Sequence, residues 1–110
     1  MYYRNHTTEY MNVIQTEVKI INGVAVKFAD ILVHTFRISD VEDPEIYAAG
    51  PLFDWERSKA GQWVMAHSVK TPWWIYRSDY LSYGYNFNIF ARLSEADATF
   101  FRLKYVGTKN

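Results

Sequence analysis

The sequence predicts an α+β domain: a mainly antiparallel sheet of about five to six strands with a kinked helix packed on one face. Three observations carry that expectation. Asn22-Gly23 sits between two alternating apolar runs, residues 52–69 show helical periodicity, and residues 85–93 alternate apolar with polar side chains. No strand–helix–strand rhythm repeats along the chain, which argues against a parallel sheet.

The elements follow in order. Residues 1–8 are polar, aromatic and terminal, and are expected to be loosely ordered. A short helix is expected over 8–16. Asn-Gly accepts the two positive φ angles of a type I′ turn, so residues 17–21 and 24–28 should form a tight hairpin. Residues 31–38 read as a further strand, with Leu32, His34, Phe36 and Ile38 on one face and Ile31, Val33, Thr35 and Arg37 on the other. Both faces begin apolar, which suits a central strand.

Asp43-Pro44 opens a helix that runs to about residue 49. Gly50-Pro51 then breaks or kinks it. A second helical segment over 52–69 gathers Leu52, Phe53, Trp55, Ala60, Trp63, Val64 and Ala66 on one side. Gly61 falls on the polar side, where glycine costs about 1 kcal/mol relative to alanine. Residues 73–77 and 85–93 read as strands around a turn at 78–84. Ser94 caps a short helix, with Asp97 near the capping-box position. Phe101, Leu103 and Tyr105 alternate with Arg102 and Lys104 and favour a last strand over 101–106, although Ala96, Phe100 and Leu103 fit a helix almost as well.

The length of 110 residues suits a single domain, with an ordinary globular share of hydrophobic (49%) and charged (22%) side chains. No apolar run is long enough for a membrane helix, and the N-terminus lacks the apolar stretch of a secretion signal. The chain has no cysteine, which excludes disulfides, thiolate catalysis and cysteine-based zinc sites and fits a cytoplasmic setting. Net charge is zero, yet residues 1–56 carry nine acidic and four basic side chains while residues 57–110 carry three acidic and eight basic. Such asymmetry can orient an encounter with a charged partner, or the two halves can neutralise one another in the fold.

Chemistry-bearing clusters are sparse. Glu56, Lys59, Trp63 and His67 would form one stripe on a continuous helix, and a small hydrolase or transferase could use His67 and Glu56 as an acid/base pair. The plainer reading places Glu56 and Lys59 at the helix edge and His67 at its C-terminus, where the dipole favours it. His34 lies among apolar strand residues as a core histidine would. His34, His67 and Asp79 match no metal-ligand spacing. The acidic run 40–45 is no calcium loop, and there is no phosphate loop or nucleophile elbow, so no metal or cofactor is expected.

The densest signal is aromatic. Eight of the residues 73–90 are Trp, Tyr or Phe: Trp73, Trp74, Tyr76, Tyr80, Tyr83, Tyr85, Phe87 and Phe90. Alternation turns Tyr85, Phe87 and Trp73 inward. The remainder, Trp74, Tyr76, Tyr80, Tyr83 and Phe90, exceeds what a chain of this length buries easily and suggests a surface for a protein partner or for self-association; Trp73, Trp74, Tyr76, Tyr80 and Tyr83, at strand ends and turns, are the expected contacts. A second possibility is single-stranded nucleic acid, stacked and neutralised by Tyr76, Arg77, Phe90, Arg92, Arg102 and Lys104.

Ser39-Asp40-Val41-Glu42-Asp43-Pro44, Trp55-Glu56 with Ser58, Gly61, Trp63-Val64-Met65 and His67, Tyr83-Gly84-Tyr85, and Asp97-Ala98-Thr99-Phe100-Phe101 with Leu103-Lys104-Tyr105 together resemble small accessory proteins of tailed bacteriophages. The likeness spans about residues 33–106. It implies no activity; it implies a small protein that binds a host or phage macromolecule. The expectation is therefore a non-enzymatic, homo-oligomeric or partner-binding protein in the cytoplasm of a bacterial host.

Overall fold

The computed structural model describes residues 4–6, 15–81 and 83–106. The protein is α+β. Strands β1 (Arg4–His6), β2 (Thr16–Ile21), β3 (Val24–Ser39), β4 (Trp73–Asp79) and β5 (Gly84–Ser94) form one sheet in the order β1-β4-β5-β3-β2. β1 lies parallel to β4, and the other four strands pair antiparallel. Helices α1 (Pro44–Arg57), α2 (Lys59–His67) and α3 (Glu95–Phe101) cover one face. Most of the helix expected at 8–16 lies outside the described residues, as do residues 1–3 and 7–8 of the terminus; Thr16 belongs to β2.

The antiparallel strands number four rather than five or six for two reasons. The segments 24–28 and 31–38 are one continuous strand, and residues 101–106 are helical. The hairpin forms where Asn-Gly demands it: Asn22 and Gly23 have φ of 52° and 78°, closing the Ile21–Val24 pair.

β3 contains a bulge. Ile31 pairs Ala91 and Leu32 pairs Phe90, but His34 pairs Ile89, leaving Val33 as the extra residue. A one-residue insertion switches the alternation. Ala29 and Ile31 face the helices before it, and His34, Phe36 and Ile38 face them after it. Strict alternation had put Leu32 with His34; Leu32 instead lies exposed on the opposite face.

The helix break is also displaced. α1 continues unbroken across Gly50-Pro51 and is capped at Ser58. Pro51 removes one backbone donor and strains a helix interior. However, Ala48, Leu52 and Trp55 form one buried stripe across it, and apolar burial of about 1.5–3 kcal/mol per large side chain holds the helix together. Pro44 occupies the first helical turn as expected, while Asp43 stands at the cap position without a side-chain capping hydrogen bond. At the real break, Ser58 Oγ donates to Trp55 O (2.6 Å) and accepts from Gly61 N (3.0 Å), ending one helix and starting the next.

Gly61 is buried at this corner, and a Cβ there would overlap the Trp55 carbonyl oxygen. Its place in α2 reflects that close approach and not a tolerated weakness on a polar face. Downstream, Ser94 Oγ accepts from Asp97 N (3.2 Å), the cap read from sequence. α3 then continues as a π-type turn over Arg102–Val106 because Ala98 and Phe101 are buried and Tyr105 packs on the same side, a helical and not an alternating spacing.

Two glycines in helices should therefore respond oppositely. Gly61→Ala is expected to lose about 1–3 kcal/mol of stability in urea denaturation, because backbone must move. Gly50→Ala meets nothing within 4 Å and is expected to gain about 0.5–1 kcal/mol. Equal responses would contradict the close packing of α2 on the end of α1.

Candidate interaction surface

The aromatic block is mostly core. Trp73 (8% exposed) and Trp74 (5%) are buried on opposite faces of the sheet, which corrects their reading as surface contacts. Alternation along β4 makes this unavoidable, since adjacent strand residues point to opposite faces and both faces here are covered. Trp74, Tyr76, Phe87 and Phe36 stack beneath the helices, with Phe87 5.0 Å from Phe36 and 4.8 Å from Tyr76 between ring centroids. Tyr76 is half-buried, and its pKa is raised by burial and then by the carboxylate of Glu45. Trp73, Ile75 and Phe90 form a second cluster on the other face, and Lys70 Nζ lies 4.6 Å from the Trp73 ring. Of the five expected contacts only Tyr80 (85%) and Tyr83 (74%) are exposed.

The nucleic-acid set is dispersed by the same alternation. Tyr76 faces the helices, whereas Arg77, Phe90 and Arg92 belong to the opposite face. Phe90 is buried and offers no ring for stacking. Arg92 is spent on carboxylates, and Arg102 and Lys104 lie exposed beyond α3.

The acid/base stripe is divided by Ser58, so Glu56 ends up on α1 while Lys59, Trp63 and His67 are on α2. Exposed His67 stacks on Trp63 (4.1 Å), with Nδ1 2.8 Å from Trp63 O. Glu56 lines an open groove of about 730 Å³ with Arg57, Gln62 and Lys70, a groove His67 does not line. His34 stacks on Trp55 (5.6 Å), and Asp79 accepts from Arg37 (2.7 Å). These side chains occupy separate places, and among the described residues no group of three His, Asp or Glu is close enough to hold a metal.

Apolar side chains are exposed on α1 (Ile46, Tyr47 and Phe53), beyond α3 (Leu103 and Val106), and in two groups at the ends of the sheet. β5 pairs with β3 only from Phe28 onward, so among the described residues β2 is the one strand beside residues 24–27 of β3, with Lys27 also 3.8 Å from Glu95. The β2–β3 hairpin thus projects as a two-stranded arm. Val18 (63%), Ile20 (70%), Ile21 and Val24 are exposed on it. A two-stranded hairpin is marginal alone in water, and the exposed apolar residues on both of its faces are not covered by any described element. At the other end, the β4–β5 turn exposes Tyr80, Leu81 and Tyr83. Tyr83 has φ 55°, a conformation bulky residues avoid, held by its N–H donating to Asp79 O (2.8 Å).

The arm has a rigid base. Arg92 on β5 donates through Nε (2.7 Å) and Nη2 (3.1 Å) to the two carboxylate oxygens of Asp30 on β3, and through Nη1 (2.6 Å) to Glu17 on β2. Asp30 also accepts from Gln15 N (3.3 Å) and is almost fully buried. Hydrogen bonding to Asp30 is the main cause of a raised Arg92 pKa, with burial opposing and Glu17 assisting. The sequence signal was a lone Asp inside an apolar strand, since a buried charge requires a partner. The arm itself left no such signal, because its apolar faces read as core.

No family model matches the chain, and no curated protein or solved structure matches it. No helix among the described residues is long and apolar enough to cross a membrane.

Two measurements check this geometry. Arg92→Met strands buried Asp30 and is expected to cost about 3–5 kcal/mol, whereas Arg37→Met, which frees a more exposed pair, should cost under about 1 kcal/mol. His34 supplies a pH test. Burial lowers its pKa, so folding favours the neutral ring while the unfolded chain protonates at the ordinary value of 6.5. Its contribution is full above that value and is lost as pH falls toward the lowered folded value. Asp54 and Tyr105, which line the same cleft, do not reverse that direction. Denaturation at about pH 7.5 and 5.5 should show a loss at the lower pH that His34→Gln reduces.

Proposed function

We propose that this chain is a non-enzymatic interaction protein that binds a protein partner, another molecule or itself, through the apolar arm and the Tyr80–Leu81–Tyr83 turn. The reading extends to a phage-encoded accessory role in the cytoplasm of a bacterial host, as the sequence resemblance implies. The observation that carries it is the exposure of Val18, Ile20, Ile21 and Val24 on a projecting hairpin whose base is locked by Arg92. Exposed apolar residues gathered on one projecting element mark association surfaces, and a rigid base lowers the ordering cost of binding. The dispersal of Glu56 and His67, and the ion-paired state of Arg92, weigh against the catalytic and nucleic-acid readings.

A photo-reactive phenylalanine analogue at Ile20, in cells producing the chain, should give discrete adducts, while the same analogue at exposed Thr99 on α3 should not. Adducts at Ile20 no stronger than at Thr99 would overturn the reading. Val18→Thr and Ile20→Thr should leave stability within about 0.5 kcal/mol, since these side chains contribute to association and not to the core.

A further inference from the structure

We propose that the arm's partner is a second copy of this chain, joined edge to edge along β2 in antiparallel register with Val18 opposite Val18 of the copy. This rests on the interaction reading above and names its partner.

β2 is the last strand of the sheet, so its outer edge has no neighbour among the described residues. Its six residues pair one to one with β3, without a bulge or a proline. Natural sheets usually blunt such an edge with those devices or with charge. The two-residue turn makes Ile21–Val24 a hydrogen-bonded pair, and the ladder alternates from there. Lys19 and Glu17 therefore direct their backbone groups at β3. Thr16, Val18 and Ile20 direct theirs outward.

The charges on β2 select the register. A two-fold pairing of identical antiparallel strands keeps each face on its own side, so the axis passes through a residue and not between two. Centred on Glu17, the pairing sets Glu17 against Glu17; centred on Lys19, it sets Lys19 against Lys19. Centred on Val18, it sets Glu17 against Lys19 twice, Thr16 against Ile20 twice and Val18 against itself. Only this register pairs opposite charges, which favours the cross-strand contact. It also makes the outward-facing residues the hydrogen-bonded pairs, giving about six backbone bonds. Glu17 meets Arg92 through Oε1 and is one-third exposed, which leaves Oε2 for Lys19 of the copy. The apolar residues Val18 and Ile20 of both copies then merge into one strip.

The chain has no cysteine, so a single introduced thiol reports only on itself. Val18→Cys should oxidise to a disulfide-linked dimer, because opposed residues of a hydrogen-bonded pair lie about 5.5 Å apart at Cα. Ile20→Cys should stay reduced, because its counterpart lies four residues along the strand, about 13 Å away. Both sites are exposed, so neither change disturbs the fold. Light scattering over a concentration series should show the mass double, and Lys19→Glu, which faces Glu17 of the copy, should weaken that step at least tenfold. Equal cross-linking at 18 and 20, no cross-linking at 18, or a monomer throughout the series would overturn the proposal. If the Ile20 photo-adduct is then a different protein, the interaction reading stands and the self-pairing fails; if no adduct forms, both fail.

Discussion

Arg92 is the contact on which the sheet depends. One guanidinium joins three strands, binding Asp30 on β3 with two hydrogen bonds and Glu17 on β2 with a third, from its own place on β5. The planar fork of arginine suits this arrangement where lysine would satisfy only part of it. Asp30 would otherwise be a buried charge without compensation. The network lies where the sheet narrows from β2–β3–β5 to the hairpin alone, so it fixes the angle at which the hairpin leaves the body.

Around that anchor, the aromatic density serves packing. The protein covers one sheet face with short helices that contribute few large side chains: Ala48, Leu52 and Trp55 from α1, Val64 from α2, Ala98 and Phe101 from α3. The volume beneath them is filled from the sheet by Phe36, Phe87, Trp74 and Tyr76 in stacked contact. A second aromatic group, Trp63 with Phe100, Phe101 and Tyr105, closes α2 against α3. With most rings engaged in this way, the exposed part of the aromatic block is the Tyr80–Leu81–Tyr83 turn, and the β2–β3 hairpin adds apolar surface at the other end of the sheet.

The corner at Ser58 determines what α2 can do. Its hydroxyl satisfies the end of α1 and the start of α2 at once, and Gly61 lets the second helix approach the Trp55 carbonyl. This turn separates Glu56 from His67, which a continuous helix would have aligned.

The sequence by itself determined the elements whose signal is local. Asn22-Gly23 specified its hairpin through positive φ, Ser94 its helix start through a cap, and the alternation of residues 85–93 its strand. It also determined the α+β class with an antiparallel sheet. Tertiary structure decided where local signals compete with burial. Pro51 lost to the stripe of Ala48, Leu52 and Trp55, the alternation over 101–106 lost to Phe101 and its neighbours, and one extra residue at Val33 reversed which side of β3 meets the helices. The candidate site was the least legible. Whether Val18 and Ile20 or Trp73 and Trp74 reach solvent depends on which strands run past one another, and strand overlap is a property of pairing between distant segments that no single segment encodes.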